Sequence, residues 1–136
     1  MEWTKKTVAG AVDLALLKPG MTQEELRAGL KAAIRLGCAS ACVRGCDIRE
    51  AEAILRGTQT MLSAVVAFPH GGASTEAKAF EAAHYAKAGA REIDFVIAVG
   101  MAASGDYAYV AHDMESVAFA AHAEGSIVKA IFECCL

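Results

Sequence analysis

The chain has 136 residues, of which 55% are apolar, and a net charge of −3, which suits a single domain with an ample core. Charges of both signs are interspersed, which argues against a nucleic-acid-binding face, and no apolar run approaches the ~18–20 residues of a membrane span. The N-terminal Met1-Glu2-Trp3-Thr4-Lys5-Lys6 has no apolar segment behind it resembling a signal peptide, so a soluble, cytoplasmic protein is expected.

Residues 3–10 suit a short helix. Val12 to Leu17 reads as a strand, stopped by Lys18-Pro19-Gly20 because Pro19 biases its predecessor away from helix. Thr22-Gln23-Glu24-Glu25 forms a capping box, and Leu26, Leu30, Ala33 and Ile34 continue a helix to about Leu36, with Gly37 as its stop. A strand follows from Cys38 to Val43. Asp47 and Glu50 repeat the capping pattern and open a helix from Ile48 to about Arg56.

Thr60 to Phe68 is nearly continuous apolar sequence, as in a strand buried on both faces. Pro69-His70-Gly71-Gly72 turns the chain, and Ser74 or Thr75 caps an alanine-rich helix to about Lys87. Gly89 to Ala98 is a strand rich in β-branched and aromatic residues. Ser104-Gly105-Asp106 caps a long helix to about Ala123, Gly125 stops it, and Ile127 to about Cys134 is the last strand. This alternation predicts an α/β fold of parallel strands with right-handed crossovers. An open doubly wound sheet and part of an eight-stranded barrel both fit.

In such folds the chemistry collects at the carboxyl ends of strands. Polar residues in or just after the predicted strands are Asp13, Ser40, Cys42, Arg44, Ser63, His70, Asp94, Lys129 and Glu133. Asp94 stands mid-strand on the face it shares with Glu92, Val96 and Ala98, where a carboxylate is costly unless paired or hydrogen-bonded. Lys129 interrupts the apolar run Ile127–Phe132 in the same way. The two belong to consecutive strands, so a buried Asp94–Lys129 pair is expected, either as an ion pair that specifies the fold or as an acid–base pair. The five cysteines, in a chain without an export signal, argue against a disulfide framework. Cys38, Cys42 and Cys46 lack zinc-type pair spacing and read as small buried thiols; no metal site is expected. Gly71-Gly72 before a helix suits a phosphate at the helix N-terminus or, more simply, a tight turn.

Seven segments then occur in one order with familiar spacing. They are Asp13-Leu14-Ala15-Leu16-Leu17-Lys18-Pro19, Ala41-Cys42-Val43, Phe68-Pro69-His70-Gly71, Thr75-Glu76-Ala77-Lys78, Gly89 to Ile97 (GAREIDFVI), Ser104-Gly105-Asp106-Tyr107 and Val128-Lys129-Ala130-Ile131-Phe132-Glu133. Together they resemble the deoxyribose-phosphate aldolase family over essentially the whole chain. The resemblance implies a TIM (βα)8 barrel and a class I aldolase, a lyase that needs no metal or other cofactor. Such an enzyme reversibly cleaves 2-deoxyribose 5-phosphate to glyceraldehyde 3-phosphate and acetaldehyde through a lysine Schiff base. It also implies that Asp94 matches the proton-relay aspartate, that Lys129 matches an active-site lysine on the following strand, and that Asp13 and Cys42 lie near a small phosphorylated sugar or aldehyde substrate.

The departures from the family pattern are specific. The family's Schiff-base lysine lies on the sixth strand in a Lys-Thr-Ser-Thr-Gly-like motif, and a second catalytic lysine lies on the seventh. The sequence contains neither, nor the family's late phosphate-binding loops. Leu14-Ala15 replaces a usual His-Thr, Arg44-Gly45 replaces Asn-Pro, and Ala98 replaces an asparagine. The expectation is therefore a single partial domain over residues 1–136, a truncated barrel of about five strands that is inactive alone. Five strands cannot close a barrel, so the edges and inner face call for a C-terminal half, a second copy, or a local rearrangement into an open sheet. A non-catalytic barrel segment that self-associates or binds a partner through its inner face is the alternative function.

Overall fold

A computed structural model describes residues 3–135. Five strands form one parallel sheet in sequential order: β1 (Asp13–Leu16), β2 (Ser40–Val43), β3 (Met61–Val66), β4 (Glu92–Val96) and β5 (Ile127–Ile131). A short helix α1 (Lys5–Ala9) precedes them. The crossovers carry α2 (Gln23–Leu36), α3 (Ile48–Leu55), α4 (Thr75–Lys87) and α6 (Tyr107–His122). A 3-10 turn at Gly45–Asp47 and a short helix α5 (Val99–Ala103) were not legible in the sequence. The sequential order and the single helical layer select the barrel alternative over the doubly wound sheet.

Alternation along the strands sorts their side chains. Leu16, Ala41, Val43, Leu62, Ala64, Val66, Ile93 and Phe95 join one core cluster with Leu26, Leu30, Ile48 and Val117 from the helices. The opposite, inner face carries Asp13, Ser40, Cys42, Ser63, Glu92, Asp94 and Lys129. Thus β2 and β4 are buried along their whole length, while several inner-face residues of β1 and β5 remain partly or fully exposed.

The helix ends follow their capping chemistry. Thr22 accepts from the Glu25 amide while Glu25 reaches back to the Thr22 amide, and Gly37 closes α2 in the left-handed region at φ 72°. Of the two candidates for α4, Ser74 is the cap. Asp47 does not cap α3 with its side chain, contrary to expectation. Its carboxylate is taken by Arg44 at 2.5 Å and by the Gln23 amide at 3.0 Å. The last strand is shorter than expected, ending at Ile131. Cys38 and Cys42 are buried, but Cys46 is exposed because the 3-10 turn carries it out of the strand.

Outside the inner face lies a second buried ion pair, one member of which, Lys78, stands in the family-like segment Thr75–Lys78. Lys78 of α4 and Asp113 of α6 are both fully buried and meet at 2.6 Å. Thr75 donates to the other oxygen of Asp113 at 3.0 Å.

Candidate active site

The register builds the site. Asp13 lies opposite Ser40, Cys42 opposite Ser63, Ser63 opposite Glu92, and Asp94 opposite Lys129. All these residues share the inner face because parallel strands in register keep their side-chain parity. The sheet curls enough for β5 to reach across to β1. Lys129 Nζ lies 2.6 Å from Asp13 Oδ2, 2.9 Å from Glu92 Oε1 and 3.4 Å from Asp94 Oδ2. Ser40 donates to the other oxygen of Asp13 at 2.7 Å, and the Cys42 thiol points to Asp94 Oδ2 at 3.6 Å.

The four residues singled out from sequence, Asp13, Cys42, Asp94 and Lys129, therefore converge. The expected two-residue buried pair is instead a cluster of one lysine and three carboxylates, and Lys129 is 41% exposed along its side chain. Glu92 is the member that sequence reasoning missed. Its parity placed it on the face of Asp94, but parity does not say that the lysine of the next strand reaches it. Of the other polar residues near strand ends, Arg44 leaves the inner face and ties the loop after β1. It donates to the carbonyls of Lys18, Pro19 and Met21 at 3.1, 2.8 and 3.2 Å. Gly45 follows it where the Tyr85 hydroxyl lies 2.1 Å from the place a Cβ would take. Arg44 thus has its partners in the loop after β1, and the Tyr85 side chain lies over Gly45. His70 is exposed in its turn.

Burial and charge set the protonation of the cluster. Burial raises the Asp94 pKa, and the neighbouring Glu92 charge adds to it, against the opposing attraction of Lys129. Burial also opposes the charge on Lys129, but its contacts with Asp13, Glu92 and Asp94 outweigh it and hold the amine protonated, above its ordinary range. Asp13 is partly desolvated, which raises its pKa, yet Lys129 and Ser40 bring it below the usual carboxylate value. Burial, reinforced by Asp94, pushes the Cys42 thiol up to about 12, so it is a neutral thiol at physiological pH. The arrangement can hold a proton on or near Asp94 and keep a fixed ammonium beside it. Among the described residues no group of His, Cys, Asp and Glu is placed to hold a metal ion, and no helix is long and apolar enough to cross a membrane.

The chain and its fold are similar to known proteins. A deoxyribose-phosphate aldolase from Clostridium kluyveri is 38% identical over 132 residues, covering 97% of this chain and 60% of its own length. The chain is similar to deoxyribose-phosphate aldolases across nearly its whole length. It spans about three fifths of the length of such relatives. A crystal structure of a putative deoxyribose-phosphate aldolase from Coccidioides immitis superposes with a TM-score of 0.89 at 29% identity, over 96% of this chain and 51% of that one. A tetrameric deoxyribose phosphate aldolase from Aeropyrum pernix gives 0.88 at 26% identity, over 97% and 55%. No family model matches the chain. The five βα units thus have the fold of the matching part of these aldolase barrels.

Proposed function

We propose that residues 1–136 form a partial barrel domain equivalent to strands one to five of a deoxyribose-phosphate aldolase, and that its inner face is the proton-handling half of a class I aldolase site. One observation carries this reading: Asp13, Cys42, Asp94 and Lys129, at the family-like positions, meet on a single face. Asp94 would take and return the proton that moves when the carbon–carbon bond of 2-deoxyribose 5-phosphate breaks or forms. Lys129 would stay protonated and, through its field, lower the pKa of the amine that forms the imine. That amine would come from outside these 136 residues, which hold no Lys-Thr-Ser-Thr-Gly-like motif. Asp13 and Cys42 would border the aldehyde or sugar substrate, and the chemistry requires no metal or other cofactor.

The test supplies the other half. Three further βα units, taken from the Clostridium kluyveri relative beyond the matched segment, are fused to the chain and assayed for cleavage of 2-deoxyribose 5-phosphate. The fused enzyme is expected to be active, and Asp94→Asn should lower kcat by at least ~100-fold. A folded fusion with no activity, or an unimpaired Asp94→Asn enzyme, would count against the proposal. Borohydride trapping with acetaldehyde on the 136-residue chain is expected to leave Lys129 unmodified, because its ammonium is held protonated. An adduct there would make Lys129 itself the nucleophile.

A second reading rests on the sheet edges. β1 and β5 each pair with a single neighbour in the described sheet, and Ile127 and Phe132 are 54% and 56% exposed. A non-catalytic segment that pairs with a second copy through these edges would behave as a stable dimer or higher oligomer in light scattering. A compact monomer would remove that reading.

A further inference from the structure

The three carboxylates around Lys129 do not share it equally. The ladder alone favours Asp94, which stands directly opposite Lys129, whereas Glu92 stands opposite Ile127. Yet Nζ is 2.9 Å from Glu92 and 3.4 Å from Asp94. The ammonium leans back along β4 toward the strand start. Asp13 holds it from the other side, but the Asp13 side chain is 35% exposed and that of Glu92 only 6%, so water screens Glu92 least. Asp94 Oδ1 is buried and receives no hydrogen bond from the described residues, and Glu92 Oε1, which meets Lys129 as an ion pair at 2.9 Å, accepts none either.

We propose that Glu92 is a positioning residue, whose carboxylate draws the Lys129 ammonium away from Asp94 and leaves an Asp94 oxygen open to take a proton. The proposal rests on the relay reading of Asp94 given above. Two effects act in the same direction. The cation is kept at a distance from Asp94, and a like charge on the same face makes a second carboxylate costlier to ionise. The polar groups sharing the face of Asp94 are Asp13 from β1, Ser40 and Cys42 from β2, Ser63 from β3, Glu92 from its own strand and Lys129 from β5. Of these, Glu92 is both charged and nearly fully buried. Its position beside Lys129 explains why a glutamate occupies the start of a strand that is otherwise sealed from water.

The experiment is a carbon-13 NMR titration of the Asp94 carboxyl in the 136-residue chain and in its Glu92→Gln variant, which keeps the shape and removes the charge. The Asp94 midpoint is expected to fall by about one pH unit in the variant. An unchanged midpoint, in a variant whose amide spectrum matches the parent, overturns the proposal, since a purely structural glutamate would leave the midpoint alone. If Glu92→Gln does not fold, Glu92→Asp takes its place, since it keeps the charge but withdraws it from Lys129. The Asp94 midpoint is again expected to fall, and an unchanged midpoint overturns the proposal. Neither result depends on turnover. An active Asp94→Asn fusion would remove the relay reading and leave the titration standing, whereas an unmoved midpoint would remove the role of Glu92 and leave the relay.

Discussion

Lys129 on the fifth strand and Asp13 on the first are 116 positions apart in the chain and 2.6 Å apart in space. This contact measures the curl of the sheet: the two edge strands do not pair, yet their inner side chains meet. Both partners are about one-third or more exposed, so water screens the pair. Asp13→Asn is expected to lower stability at pH 7 by no more than about 1 kcal/mol in urea unfolding. The Asp13 pKa is depressed on folding, so its stabilisation is present above its unfolded value and is lost as pH falls through the folded one. The difference between parent and variant should therefore vanish in acid. A difference that persists there would contradict the assignment.

Asp94 should behave in the opposite sense. Its pKa is raised on folding, so its favourable contribution is present below the unfolded value, near pH 4, and is lost as pH rises through the folded one. Asp94→Asn should gain stability over the parent as pH rises across that window and hold a constant advantage above it. Urea midpoints at a series of pH values check this, and an advantage that shrinks with rising pH would sink it.

The buried pair of Lys78 and Asp113 offers a sharper stability test, because neither charge reaches water. Asp113→Ala strands an ammonium in the core and should cost about 3–5 kcal/mol. The double change Lys78→Met with Asp113→Leu removes both charges and should recover most of that loss. Equal losses in the single and double variants would show that packing, rather than the uncompensated charge, dominates.

Thiol chemistry should divide the cysteines by burial. Cys46, Cys134 and Cys135 are exposed, whereas Cys38 and Cys42 are buried, and the Cys42 pKa is pushed up to about 12. A chromogenic disulfide should titrate three thiols rapidly in the native chain and all five in urea. Fast native modification of Cys42 would show that the inner face opens more than its burial allows.

Gly71 is held at φ 67°, and a Cβ there would sit 1.9 Å from the Ile97 carbonyl oxygen. Gly71→Ala should lose at least about 2 kcal/mol in thermal or urea unfolding, because left-handed strain and a backbone clash act together. A loss of only a few tenths would mean that the loop after β3 shifts freely against the end of β4.

The sequence by itself determined the alternation of strands and helices, the cap of α2 at Thr22, the stop at Gly37, and the strand faces on which Asp94 and Lys129 stand. These are local matters of periodicity, capping and side-chain parity, which few neighbours can override. The family resemblance likewise rested on residues in order. The tertiary structure decided what distance along the chain conceals. Asp47 met Arg44 and Gln23 rather than capping its helix, because a nearby cation offers a buried carboxylate more than a backbone amide does. Lys78 stood in a family-like segment, but nothing along the chain pointed it to Asp113, 35 positions away on another helix. Asp94 and Lys129 were visible as an expected pair, but the curl of the sheet brought Asp13 to the lysine and the lysine leans back along β4 to Glu92, so both stand closer than its ladder partner. Register alone would have left Asp94 with the whole of that charge. Curvature and the lean of one side chain, neither encoded in a single strand, divided it among three carboxylates.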